Sequence, residues 1–281
     1  MLKSLKTKKT FYCKNILIKI IISIIFIQKS VVFYRFNKTL TTLKIISLLK
    51  LNHPTVFHYL INLFFPKVCS GCRALLLQNE TVFCTICRHE MPLTQYHLDP
   101  KNEAIKKFYG KIDIQFAATF LYFNKKGMVQ ELIHNLKYKG HQEIGTVLGS
   151  WYVEDLKGLP FEMPFDAVIP VPLHKRKFKE RGYNQVTTFG KAIASGFEIP
   201  FEENILIRKI YSKTQSKKNL LGRSENIENI FDVEFTEADY NKHFLIVDDV
   251  LTTGATIEAC SLALSKIPGV KISMICMAMA H

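Results

Sequence analysis

Two adjacent carboxylates, Asp248 and Asp249, close an apolar run over residues 244–247, and Thr252-Thr253-Gly254-Ala255-Thr256 follows after Val250 and Leu251. The run is continuous rather than alternating, which predicts a strand buried on both faces of a parallel sheet. Ligands of such sheets bind beyond the carboxyl ends of the strands, where the two acids would sit. The hydroxyls and backbone N–H groups of 252–256 can hold a phosphate, and a helical pattern over residues 257–266 would turn its positive end to the same place. Gly254 permits a close backbone approach. Together these are acceptors for hydroxyls beside donors for a phosphate, which is what a sugar phosphate needs. As an ordinary strand, turn and helix capped by Thr252 or Thr253, the segment would leave two carboxylates without ligand or counter-charge. No G-x-x-x-x-G-K-[ST] and no G-x-G-x-x-G occurs, so neither a P-loop nor a dinucleotide fingerprint accounts for it.

A second constellation is Cys69-x-x-Cys72 and Cys84-x-x-Cys87, with eleven residues between the pairs. Four thiolates at this spacing can close a tetrahedral zinc site, which would be structural because all four positions are protein. It would stabilise a segment too short to build its own core. Two disulfides, a rubredoxin-like iron or an unmetallated remnant are the alternatives; a reducing compartment argues against the disulfides. Cys260 and Cys276 read as small core residues.

These groups need a scaffold. Residues 114–123 and 165–171 read as strands, 127–138 as a helix stopped by Gly140, 189–194 as part of a helix and 270–280 as a last strand. Residues 56–65 read as a short helix and 88–110 as a polar linker. Strands alternating with helices over 110–281 give an α/β fold with a mostly parallel sheet flanked by helices. Two polar segments join it. Residues 170–185 begin at the carboxyl end of a strand and carry Lys175, Arg176, Lys177, Lys179 and Arg181, which can neutralise a pyrophosphate or a nucleic-acid backbone, or form a solvated basic helix. Residues 213–226 read as a surface loop able to close over a ligand.

The chain has 281 residues and a net charge of +14. Residues 1–52 hold 11 of the 38 Lys and Arg and none of the 24 Asp and Glu, so the other 229 residues carry only +3. The overall basicity is therefore weak evidence for nucleic acid. Residues 16–27 are apolar but interrupted by Lys19, too short and too charged for a stable transmembrane span. Residues 1–52 read as a non-native or weakly structured extension, with a peripheral membrane anchor as the functional alternative. The domains expected are this extension, a four-cysteine finger over 53–95 and the α/β domain over 110–281.

The order of strand, Asp248-Asp249 and Thr252-Thr253-Gly254-Ala255-Thr256 resembles the phosphoribosyl pyrophosphate loop of type I phosphoribosyltransferases. With Phe65-Pro66-x-x-Cys69, Leu136-Lys137-Tyr138-Lys139-Gly140, Pro170-Val171-Pro172-Leu173, Arg181-Gly182-Tyr183-Asn184-Gln185 and Arg223-x-x-Asn226, the chain resembles the ComF family, competence-associated proteins with a four-cysteine zinc finger joined to a phosphoribosyltransferase domain. Lys217 stands where the family carries Gln after Thr214, and residues 1–52 have no counterpart. The resemblance implies a type I phosphoribosyltransferase-like fold. It gives Asp248 and Asp249 the ribose hydroxyls and 252–256 the 5′-phosphate. It also implies Mg²⁺ with the phosphoribosyl pyrophosphate or nucleotide, Lys137, Arg176 and Arg181 at the phosphates, and structural zinc on Cys69, Cys72, Cys84 and Cys87. The implied role is in DNA uptake, with single-stranded DNA and competence helicase machinery as partners, in the cytoplasm. An inactive single-stranded-DNA-binding module and a salvage-type phosphoribosyltransferase are the alternatives.

Overall fold

The computed structural model describes residues 66–159, 164–209 and 230–280. The extension, the expected helix over 56–65 and the loop over 213–226 lie outside these residues. The elements are α1 (Thr85–His89), α2 (Glu103–Lys106), β1 (Phe116–Phe123), α3 (Met128–Tyr138), α4 (Glu143–Lys157), β2 (Ala167–Pro170), α5 (Lys175–Arg181), α6 (Thr187–Phe197), β3 (Leu206–Arg208), β4 (Phe231–Val233), β5 (His243–Leu251), α7 (Ala255–Leu264) and β6 (Lys271–Ala280).

Four strands form one parallel sheet in the order β1-β6-β5-β2. β5 lies inside it, with Asp248 opposite Cys276 of β6 and Val247 opposite Pro170 of β2. The continuous apolar run has the expected cause. Leu245 and Val247 enter a core with Leu132, Leu136, Leu148, Phe189 and Ile193, while Phe244 and Ile246 enter a second core with Ile257, Leu264, Phe108 and Leu206. Both faces of the strand are thus buried, so alternation has no use there. α3, α4 and α6 cover the first face and α7 the second.

α4 and α6 pack closely because glycines line the contact. A Cβ on Gly149 would stand 2.8 Å from the Phe189 carbonyl oxygen, and one on Gly196 would stand 2.4 Å from Val153 Cγ1. Both sheet edges are covered. Thr94 N–H donates to Phe120 O at 3.0 Å and Tyr122 N–H to Pro92 O at 2.8 Å, capping β1. Val168 N–H donates to Pro200 O and Glu202 N–H to Val168 O, both at 2.9 Å, capping β2. Capping removes the unpaired rows that invite another chain.

Residues 88–110 are not a linker. Asn102 is buried; its Nδ2 donates to the carbonyls of Tyr96, Asp99 and Ala117 at 2.8–2.9 Å, and its Oδ1 accepts from Ala104 and Ile105, capping α2. Phe108 is only 2% exposed. Few apolar residues suffice here because one amide satisfies five backbone groups. β3 and β4 form a separate antiparallel pair, tied to the end of α7 by Lys266 Nζ–Asp232 Oδ1 at 2.6 Å. Among the described residues no helix is long and apolar enough to cross a membrane.

The α4–α6 contact yields a direct test. Gly149→Leu should force the helices apart and lower stability by about 1–3 kcal/mol, the usual cost of overpacking, measured by urea unfolding; an unchanged midpoint would contradict the packing described.

Candidate functional site

β5 runs past its apolar stretch and through both acids to Leu251, so Asp248 and Asp249 belong to the strand itself. Successive strand residues face opposite sides of a sheet. Asp249 follows Leu245 and Val247 to the α3 side, where Lys137 Nζ stands 2.7 Å from its Oδ2. This pair is largely buried, with side chains 22% and 9% exposed. Asp248 shares the face of Phe244 and Ile246. Burial pushes its carboxyl up to about 7, and the neighbouring Asp249 charge adds to the shift. The Asp249 N–H, donating to Asp248 Oδ1 at 2.8 Å, with Lys137 and Arg208, opposes it. One acid is therefore matched by a cation, and the other is poised between its two states near neutrality.

Beyond Leu251 the chain turns through exposed Thr252 and Thr253 into Gly254, which has φ +87° and serves as N-cap of α7. A Cβ there would be strained in φ and 2.9 Å from Phe108 Cε1. Glycine offers no side-chain acceptor to the helix, so the α7 N-terminus presents its N–H groups and positive end beside Ala255 and exposed Thr256. Thr253 Oγ1 accepts from Ala255 N–H at 3.4 Å.

The Arg181-Gly182-Tyr183-Asn184-Gln185 segment joins the β2 end to α3. Gly182 closes α5 with φ +82°. Tyr183 Oη donates to Leu136 O, Asn184 Nδ2 donates to Val171 O at 3.0 Å, and the Arg181 guanidinium lies 5.0 Å from the Tyr138 ring centre. Lys137 and Arg181 thereby stand on adjoining elements. Arg176 is different: it is exposed on α5 and paired with Glu180 at 2.9 Å. No described contact brings it to the acids. Tyr138 and Arg208 are neighbours that the sequence did not assign; a motif position signalled the first, and nothing in the pattern signalled Arg208.

The four cysteines converge. The sulfurs of Cys69, Cys72, Cys84 and Cys87 lie within 4.8 Å of one another, and Cys72 and Cys84 are 3.6 Å apart. A tetrahedron with metal–sulfur bonds of about 2.3 Å needs edges of about 3.8 Å, so the cluster can hold a metal ion. The sulfurs are not bonded as disulfides. Backbone N–H groups point at them: Cys84 and Gly71 donate to Cys69 Sγ at 3.3 and 3.4 Å, and Cys87 to Cys84 Sγ at 3.4 Å. Burial opposes ionisation of Cys69, yet the N–H donors bring its thiol down to about 7. Burial and the neighbouring thiols push Cys87 up. The cluster sits on α3. Met128 packs against it, a Cβ on Gly71 would stand 2.8 Å from Met128 Sδ, Asn135 Nδ2 donates to Ser70 O at 3.2 Å, and Arg73 pairs with Glu131.

The raised Asp248 has a thermodynamic consequence. Between about pH 4 and pH 7 the unfolded chain has lost this proton while the folded chain retains it, so stability falls as pH rises through that window. Asp248→Asn should remove this slope and leave a protein more stable than the parent at pH 8, read from melting temperatures at pH 5, 6, 7 and 8. Parallel curves for the two proteins would refute the shift.

No protein-family model matches the chain. It is 32% identical to Competence protein F of Haemophilus influenzae over 103 residues, which are 36% of this chain and 45% of that protein. The match to DNA utilization protein YhgH of Escherichia coli K12 is 23% identical and covers 75% of this chain and 96% of that protein. Competence protein ComFC of Bacillus subtilis is 24% identical over 68% of this chain and 75% of its own length. Among solved structures, adenine phosphoribosyltransferase from Leishmania tarentolae superposes with a TM-score of 0.33 at 15% identity, covering 57% of this chain and 91% of that one. These curated relatives, at modest identity, support the ComF family for a chain that joins two cysteine pairs, an acidic strand end and a hydroxyl loop in one unit.

Proposed function

We propose that the strand end at Asp248 and Asp249 is a phosphoribosyl pyrophosphate site that works with Mg²⁺, in a protein of DNA uptake. The observation that supports it is the direct passage from the acid pair through Thr252, Thr253 and Gly254 into the N-terminus of α7, whose N-cap Gly254 has no side chain, with Lys137 held on Asp249. In this reading the carboxylates of Asp248 and Asp249 accept hydrogen bonds from the ribose 2′- and 3′-hydroxyls. The N–H groups of residues 252–256, with the hydroxyls of Thr252, Thr253 and Thr256, donate to the 5′-phosphate. Lys137 and Arg181 balance the charge of the pyrophosphate, while Arg176 stays on the exposed face of α5. Lys137 is kept close by Asp249 until the diol takes over that carboxylate, which frees the ammonium for the pyrophosphate. Carboxylate oxygens suit Mg²⁺, which keeps waters and substrate phosphates as its other ligands and would neutralise the departing pyrophosphate. If an acceptor attacks C1′, the bond to pyrophosphate breaks and the pyrophosphate leaves with the electron pair. The acids then act electrostatically as cationic character builds at C1′, rather than as bases.

The role in competence is taken from the names of the relatives, Competence protein F, ComFC and DNA utilization protein YhgH. The metal of the cysteine cluster is proposed to be zinc, because four thiolates, two of them 3.6 Å apart, match its tetrahedral preference. A second reading has its own observation. α5 buries no residue and exposes Lys175, Arg176, Lys177 and Lys179 around a half-exposed Phe178. Such a face suits the backbone and bases of single-stranded DNA, with or without transfer chemistry.

Calorimetric titration of the protein with phosphoribosyl pyrophosphate and Mg²⁺ tests the first reading. Saturable binding is expected, weakened at least about 100-fold in the Asp248→Asn, Asp249→Asn double variant at about 1.5–3 kcal/mol per charged hydrogen bond. Equal binding by the two proteins would end it. Elemental analysis tests the metal: one zinc per chain is expected, lost in Cys72→Ser together with a lower melting temperature, whereas iron or no metal would overturn the assignment.

A further inference from the structure

Residues 102–111 approach the hydroxyl loop from the side opposite the cysteine cluster's helix, and they carry three lysines. Two are committed. Lys106 Nζ pairs with Glu103 Oε1 at 2.7 Å, and Lys111 Nζ lies 3.6 Å from Glu258 Oε2 in the first turn of α7. Lys107 has no carboxylate partner among the described residues. It is half-buried and closes α2 as its C-cap. Its Cβ lies 3.6 Å from where a Cβ on Gly254 would stand, and the adjacent Phe108 ring lies 2.9 Å from that point. The base of the Lys107 side chain therefore lies beside the one glycine around which the loop 252–256 turns.

The placement is rigid. Asn102 caps α2 and ties it to β1 through Ala117 O at 2.8 Å, Ala104 and Phe108 are buried, and the Lys111–Glu258 pair clamps the segment to α7. The ion pair at Glu258 also offsets the negative charge that would otherwise repel an anion from the first turn of α7. A lysine with a flexible four-carbon stem and three donors, fixed at its base beside an open helix N-terminus, is well placed to hold a compact anion.

We propose that Lys107 is a phosphate-binding residue of this site and holds the phosphomonoester of the ligand seated in the loop 252–256, while the pyrophosphate is left to Lys137 and Arg181. The assignment rests on the sugar-phosphate reading of the site and names the residue that selects phosphorylated over unphosphorylated sugars. Without Lys107 the loop offers the phosphate dipoles and hydroxyls but no full positive charge.

The test compares the full chain with Lys107→Met, Lys107→Arg and Lys106→Met by calorimetry, using ribose 5-phosphate and inorganic pyrophosphate as separate probes with Mg²⁺. Ribose 5-phosphate should bind about 10- to 100-fold more weakly to Lys107→Met, the range for loss of one charged hydrogen bond. Lys107→Arg should recover most of that loss, Lys106→Met should match the parent, and pyrophosphate binding should be unchanged throughout. Parent-like affinity of Lys107→Met for ribose 5-phosphate overturns the assignment while leaving the site reading intact. Equal losses for both probes also overturn it, because they would reflect a general positive field. Absence of ribose 5-phosphate binding by the parent removes the site reading, and the assignment with it.

Discussion

Two like charges side by side on an interior strand are the constraint around which this molecule is arranged. Burial and mutual repulsion both oppose their ionisation. The structure meets that cost in two ways. Lys137 neutralises Asp249 from one face of the sheet, and the Asp248 carboxyl retains its proton up to about 7 on the other. Lys137 must therefore be held at a fixed height. α3 does this through Leu132 and Leu136 in the core, through Tyr183 at the Leu136 carbonyl, and through the cysteine segment at Met128, Glu131 and Asn135.

Much of this was legible in the chain itself because it rests on local chemistry. The run before Asp248 announces a strand buried on both faces, and Leu245 and Val247 against Phe244 and Ile246 are that burial. Gly254 reads as a close approach and has a left-handed φ with Phe108 against it. The C-x-x-C spacing brings four sulfurs together. The elements that were missed depend on distant partners. α4 carries Ile144, Leu148 and Tyr152 at helical spacing, but its glycines weaken the local signal, and their reason is α6, more than thirty residues further on. Residues 88–110 look like a linker because their order comes from Asn102 and a few backbone pairings with β1 rather than from an apolar stripe. β3 and β4 are three residues each, too short to announce themselves.

The basic residues separate once the fold is known. Lys137 is held on Asp249 by an ion pair, and Arg181 lies against the ring of the next residue on the same helix, Tyr138. Arg176 remains on an exposed helix with Glu180. Charge in the sequence marks both kinds alike, since it carries no information about which side chain the tertiary structure will turn inward. A lysine in an apparent linker carries still less, and its position beside the loop emerges only from the packing of Phe108.

α3 touches the cysteine cluster at one end and the acid pair at the other, so the cysteine segment is not a detachable attachment to the α/β domain. Val82, Phe83 and Met91 already lie in the main core. For anyone cutting or recombining this chain, the natural seam does not fall after Cys87. A chimera that imports a cysteine segment from a relative must import the matching face of α3 with it, because the segment rests on residues 128, 131 and 135 of the helix that carries Lys137. Inheritance should follow the same seam: substitutions at Gly71, Arg73 or Ser70 are expected to travel with changes on that helix rather than with the rest of the finger.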